Sequence, residues 1–272
     1  MSLNYDIEDG VLKDIWCGGM QKMSRMKFMN TEIDNVTMQE ALQAIDTLIK
    51  ENKAAYVVTP NVDHIVQLET NKELQEIYAN ASLILTDGKP LMWIAKWYGT
   101  PIKEKISGSD LFPLLCEMAA EKGYKMFFLD AAEGVAAKAA ENLKNRCNGL
   151  QVVGTYSPPF GFEKNPKEIE KIKLMINDAK PDILIVGLGC PKQEKFMYHY
   201  CKELGVPISF GLGESFDFEA GNIKRAPKWM ADHGLEWLFR ITQDPKRMAK
   251  RYLLDDLMIF ELAIKYRKDN GK

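Results

Sequence analysis

The sequence predicts an α/β protein: a Rossmann-like, mostly parallel sheet with helices on both faces, followed by a C-terminal helical appendage. Three observations carry this reading. Short apolar runs bounded by Pro, Asn, Asp or Gly recur at 55–59, 82–86, 125–129, 151–156, 183–187 and 207–210. Helix-length amphipathic stretches separate them, the pattern of buried parallel strands joined by crossover helices. After Gly221 the strand signals stop and the charge changes sign: 222–272 holds 12 basic and 7 acidic residues, a net of +5, while 1–221 carries a net of −7. The expected organisation is therefore a loosely ordered extension at 1–25, an α/β body at 26–221 and a basic helical appendage at 222–272.

Each element has its own justification. Residues 1–25 show no sustained period and contain Gly10, Gly18 and Gly19. Phe28 to Ile33 suits a first strand. Thr37 with Glu40 forms a capping box for a helix through Lys50. Ala55–Thr59 reads as a buried strand, with Asn61 and Asn71 capping two helices after it. Ser82–Thr86 is a second strand, ending at Asp87-Gly88, and a helix over 91–98 follows. Ser109 is expected to cap a helix that stops at Gly123. Strands at 125–129 and 151–156 flank an alanine-rich helix, and Asn165-Pro166 opens the next. Ile183–Gly187 is the clearest buried strand. Pro191 begins a helix through Leu204, 207–210 is one more strand, and Asp244-Pro245 starts a helix in the tail.

Composition narrows the function classes. With 46% hydrophobic and 27% charged residues, global disorder is excluded. A net charge of −2 argues against a whole-surface nucleic-acid binder. No apolar run approaches the roughly 18–20 residues of a membrane span, and 1–27 has no apolar core of a signal peptide. Five cysteines without a CxxC pair suggest reduced thiols and a cytoplasmic setting. The three histidines share no metal-ligand spacing, so neither metal nor cofactor is expected.

In such a sheet a ligand sits outside the carboxyl ends of the strands. Gly187-x-Gly189 and Gly211-x-Gly213 each follow a strand, where bare backbone can approach a phosphate. Neither completes GxGxxG and no GxxxxGK[ST] exists, so an ordinary NAD fingerprint and a P-loop are absent. Two such pairs favour a nucleotide or diphosphate pocket; either alone fits a tight turn. Asp87 is a carboxylate at the mouth of a buried strand, suited to a general base if partly buried, or simply a helix cap. Thr59 and Asn61 would lie beside it if their strands are neighbours. Lys192 and Gln193 open a helix after the Gly187 turn and suit sugar hydroxyls. Asp217 and Glu219 resemble a metal-holding carboxylate pair, a weak signal. The cations of the tail alternate with Trp229, Trp237, Phe239, Tyr252, Phe260 and Tyr266, which suits a membrane interface, a phosphate pocket or a solvated helical cap.

Taken in order, TPNVDH at 59–64, LTDGKPLMW at 85–93, SGSDLF at 107–112, VGLGCPKQEKF at 187–196, GESFDFEAGNIKRAPKWM at 213–230 and LEWLFRITQDPKRMAKRY at 235–252 resemble the WecG/TagA/CpsF glycosyltransferases, glycosyltransferase family 26. The resemblance spans about 28–255. It implies a bacterial enzyme that moves a sugar from a UDP-sugar to a lipid-diphosphate-linked sugar on the inner face of the cell membrane, in the assembly of teichoic acid, capsule or exopolysaccharide. The family's proposed base falls on Asp87, its pocket Thr and Asn on Thr59 and Asn61, and its Gln on Gln193. Lys105 stands before SGSDL, where the family often has Arg. The tail arginines fall on Arg240, Arg247 and Arg251, with Lys250 competing for the last. Family members are not known to need a metal, so Asp217 is expected to accept hydrogen bonds from uracil or ribose.

The expected chemistry is an inverting transfer with Asp87 as base and the tail cations facing the leaving diphosphate. Two rivals stand: an NAD-dependent enzyme that modifies nucleotide sugars, and a non-enzymatic peripheral membrane scaffold. The donor sugar is open among N-acetylmannosamine, its uronate, N-acetylglucosamine, glucose and glucuronate. The acceptor sugar and any homo-oligomer are open too.

Overall fold

The computed structural model describes residues 14–15, 23–227, 229–230, 233–250, 252 and 256–270. A six-stranded parallel sheet runs through the body in the order β5-β4-β9-β8-β6-β7. Its strands are β4 (Ala55–Val58), β5 (Leu83–Ile84), β6 (Lys125–Asp130), β7 (Gln151–Tyr156), β8 (Ile183–Gly187) and β9 (Ile208–Gly211). Every residue of β4, β8 and β9 is buried, which is why these strands read as unbroken apolar runs rather than alternations. The edge strand β7 alternates instead.

Helices cover both faces. One core packs α1 (Met38–Glu51), α5 (Gly108–Lys122), α6 (Val135–Arg146) and α9 (Gly213–Ala220) on the sheet, centred on the edge-to-face rings of Phe112, Phe128 and Phe216. The opposite core packs α2 (Val62–Leu68), α3 (Lys72–Ala79), α4 (Lys89–Trp97), α7 (Pro166–Ala179) and α8 (Lys192–Leu204). Ile259, Leu262 and Ala263 of the tail helix Met258–Asn270 join that second core. Thr37 caps α1 in a full capping box, and Asn61, Asn71 and Asn165 cap α2, α3 and α7.

Four expectations need correction. Phe28 to Ile33 is not one strand: β2 (Met23–Phe28) turns at Met29-Asn30 into antiparallel β3 (Thr31–Asp34). A short strand, β1 (Asp14–Ile15), pairs with the start of β2, so a strand crosses the boundary drawn at 25/26. The run 82–86 gives only Leu83–Ile84 as strand. The cap of α5 is Ser107, whose side chain accepts from the Asp110 amide, and Ser109 lies inside the helix.

The two-residue β5 is held from outside the sheet. Arg25 makes two bonds to Asp34, at 2.9 and 2.8 Å, in a buried pair, and also reaches the Ala81 and Ser82 carbonyls. Asp34 Oδ2 in turn accepts the Ile84 amide at 2.8 Å. The β2–β3 hairpin thus serves as a side-chain clamp on the edge strand that leads to Asp87.

Candidate functional site

The parallel pairing of β4 and β5 puts their carboxyl ends side by side, as the site needs. The Asp87 amide donates to the Pro60 carbonyl at 2.9 Å, tying the segment after β5 to the one after β4. Thr59 is buried at the end of β4, and Asn61 caps α2 with its side-chain oxygen on the His64 amide. Thr86, next to Asp87, is buried with its hydroxyl unpartnered. Gly88, at a φ of +100°, turns the chain directly into α4, so Asp87 sits at a bend where only glycine fits easily after it.

Asp87 is half-buried, and burial pushes its carboxyl up to about 6. Arg240 and Lys105 pull it down, while Glu236 and Asp110 push it further up. These neighbours come from the loop before α5, from α5 and from the tail helix Glu236–Gln243, so the tail reaches the strand-end site. Lys105 Nζ lies 3.0 Å from Asp110 and 3.9 Å from Glu236. Burial disfavours its charge, but Asp110, Glu236 and Asp87 outweigh this and raise its pKa. Arg240 pairs with Glu214 of α9 and lies 5.6 Å from the Phe218 ring centre. Arg225 packs on the same ring at 5.8 Å and pairs with Asp110 at 3.3 Å. A carboxylate with a pKa near neutrality, beside two cations, can take a proton while the cations face an anionic leaving group.

The second half of the site lies at the ends of β8 and β9. Gln193 is buried at the start of α8, between the two glycine turns: a Cβ on Gly211 would fall 2.9 Å from its Nε2, and one on Gly213 3.0 Å from its Oε1. A Cβ on Gly187 would fall 2.3 Å from Asp130 and 2.5 Å from Phe216. These three glycines therefore make room for protein side chains. Gly189, with φ +76°, is exposed at the turn. Lys192 pairs with Glu163 at 2.8 Å and lies over the exposed Phe160 ring. Asp217 is half-buried and accepts from Asn222 at 3.1 Å. Glu219 is buried and its carboxylate is engaged by Arg146 rather than facing Asp217's partner Asn222. The helix Pro245–Lys250 carries Arg247, whose side chain lies outside the described residues, as does Arg251 altogether.

Sequence reasoning missed Asp130. It is the last residue of β6, and burial pushes its carboxyl up to about 7, with Asp217 adding to the rise. The signal was present: an acid ending an apolar strand, hidden by closing that strand at Leu129. Glu214 and Glu236, the acidic partners of Arg240 and Lys105, were also missed: the expected placing of the tail cations at the strand ends did not say which acids they would meet there. Among the described residues, one group of metal-donor side chains lies together: Asp63, His64 and Cys190, with donor atoms within 4.8 Å. Asn61 and Glu194 already engage both nitrogens of His64.

Residues 26–272 match the glycosyl transferase WecG/TagA/CpsF family. Over 204 residues the chain is 34% identical to the N-acetylglucosaminyldiphosphoundecaprenol N-acetyl-beta-D-mannosaminyltransferase of Bacillus spizizenii, covering 75% of this chain and 77% of that protein. It is 29% identical over 202 residues to the Bacillus subtilis enzyme of the same name, covering 74% and 77%.

Proposed function

The chain belongs to the WecG/TagA/CpsF family of glycosyl transferases, and from that premise we propose that it moves N-acetylmannosamine from a UDP-sugar to a polyprenyl-diphosphate-linked N-acetylglucosamine in bacterial cell-surface polysaccharide assembly. The observation that carries the reading is Asp87, a half-buried carboxyl pushed up to about 6 and flanked by Lys105 and Arg240. The acceptor hydroxyl attacks the anomeric carbon from the face opposite the UDP. As the new C–O bond forms, the bond to the β-phosphate oxygen breaks, and Asp87 takes the hydroxyl proton. One base suffices for this single displacement, which inverts the anomeric centre. Charge developing on UDP is met by Arg240 and Lys105, with Arg247 and Arg251 close in sequence to extend the cationic wall. Thr59, Asn61 and Gln193 orient the sugar, Gly189 and Lys192 line the diphosphate side, and Asp217 accepts from the nucleoside.

Peripheral binding to the inner face of the membrane fits the same reading. No helix among the described residues is long and apolar enough to cross a membrane. Phe260 and Ile264, four apart on the last helix, are 67% and 69% exposed, and Trp93 and Trp97 of α4 are exposed too. Such a surface suits a bilayer interface.

The test is UDP release by the pure protein given UDP-N-acetylmannosamine and a short-chain N-acetylglucosaminyl-diphosphate lipid. Product that retains the donor's anomeric configuration, or no product from any UDP-sugar, overturns the proposal. Because Glu219 is committed to Arg146, the reaction is expected to survive EDTA. Activity lost to EDTA and restored by Mg²⁺ would show a metal-assisted leaving group instead.

A further inference from the structure

His64 joins the two halves of the site without belonging to either. Its ring is buried, with Nδ1 2.7 Å from Asn61 Oδ1. That oxygen can only accept, so this contact needs the proton on Nδ1, which the Asn61 backbone N–H also faces at the longer distance of 3.4 Å. On the other side Nε2 lies 3.5 Å from Glu194 Oε1, and the same oxygen accepts Gln193 Nε2 at 2.7 Å. Gln193 Oε1 is left buried with no protein donor, in the gap beside Gly213. Glu194 is 1% exposed, so its carboxylate depends on protein partners rather than water for solvation. The ring is also faced by the Cys190 thiol, by Asp63 and by the Tyr78 ring at 6.4 Å. Among these, only the imidazole can carry positive charge.

We propose that His64 is a positioning residue that fixes the orientation of two site amides, holding Asn61 by its oxygen and Gln193, through Glu194, by its nitrogen. The Gln193 carbonyl is then set as an acceptor for a sugar group that donates, a hydroxyl or the N–H of an N-acetyl substituent. This deepens the functional reading above and rests on it. Burial opposes the imidazolium, but Cys190 and Glu194 outweigh it and hold the His64 pKa well above its ordinary value. Without the imidazole, the Glu194 carboxylate loses the ring that fixes it, and Gln193 Nε2 loses a fixed acceptor. The amide is then no longer held by its nitrogen and can turn its N–H₂ toward the sugar in place of its oxygen.

The experiment is a double-variant cycle on the full chain. His64→Leu and His64→Gln are made alone and with Gln193→Ala, and assayed with UDP-N-acetylmannosamine and the short-chain acceptor. His64→Leu is expected to weaken UDP-sugar binding about 10–100-fold, the effect of one mispaired buried polar group, while free UDP binds within about twofold of wild type. His64→Gln, which keeps a polar group at the position, recovers part of the loss. In the Gln193→Ala background the His64→Leu effect shrinks by at least about threefold, because one of the two amides it orients is gone and only the Asn61 share remains. If His64→Leu does not fold, the Gln variant carries the same cycle. Equal His64 effects in both backgrounds, or equal loss of UDP and UDP-sugar affinity, make His64 a structural residue and overturn the inference. A stoichiometric metal on the wild type that the His64 variants lose also overturns it. A wild type that transfers no sugar removes the functional reading and this inference together; a transferring wild type with independent effects removes the inference alone.

Discussion

Asp87, the proposed base, is the residue at which burial bears most directly on function. A carboxyl raised from its usual value to about 6 binds a proton more readily in the folded chain than in the unfolded one. Between about pH 4 and 6 the native state therefore holds more protons, and stability falls as pH rises through that window. Asp87→Asn should remove this cost: the variant is expected to melt higher than wild type at pH 8 and to lose that advantage near pH 4. With Asp87 as the proposed base, the same shift is expected to set the activity profile. The base works only when ionised, so turnover should rise through about pH 6 and level off above it. Asp87→Asn should lower turnover at least about 10²-fold while leaving UDP binding nearly intact. A variant with wild-type turnover would show that another group takes the proton, and Asp130, pushed up to about 7, would be the next to replace. The strand-end positions of Asp87, Thr59, Asn61 and Gln193 were legible in the sequence because each stands within a few residues of an apolar run. The His64–Glu194 link was not, because it depends on α2 and α8 lying side by side, which no local pattern encodes.

At the scale of elements, legibility followed burial. Strand β8 could be read to the residue, since all five positions are buried and Asp182 and Gly187 bound it. The β2–β3 turn could not: Met29 occupies the left-handed region at φ +52° where glycine or asparagine would have signalled it. Strand β5 was read too long because an apolar run marks burial, not ladder hydrogen bonds. Its shortness makes the Arg25–Asp34 clamp matter. Asp34→Ala leaves the Arg25 guanidinium buried without its carboxylate and the Ile84 amide without its acceptor. Breaking such a buried pair costs about 3–5 kcal/mol. The expected result is a large fall in melting temperature, with hydrogen exchange rising first at 82–87. If exchange there stays at wild-type rates while the rest loosens, the hairpin is not what holds the Asp87 segment.

At the scale of the molecule, the question is what a +5 tail does on a body of −7. Its two described ends act differently. Arg240 enters the Asp87 site, whereas Met258–Asn270 docks on the opposite core, with the Tyr98 hydroxyl donating to the Ala263 carbonyl at 2.7 Å and Lys265 pairing with Glu69. We propose that the tail is a catalytic wall clamped at its far end, with an apolar face left for the bilayer. Removing residues 256–272 should then strip Ile259, Leu262 and Ala263 from the core and lower the melting temperature. Replacing both Arg247 and Arg251 with Gln should leave melting unchanged, yet cost at least about tenfold in activity on a soluble short-chain acceptor, the worth of a charge-assisted phosphate contact. Phe260→Ser with Ile264→Ser should do the reverse, sparing the soluble reaction and weakening binding to anionic vesicles. The vesicle binding of the wild type should fall as salt rises, each cation near the surface contributing about 1 kcal/mol before screening. Normal soluble activity in the arginine variant would confine the central tail to membrane attachment, and Asp87 would then rely on Lys105 and Arg240 alone for the leaving diphosphate.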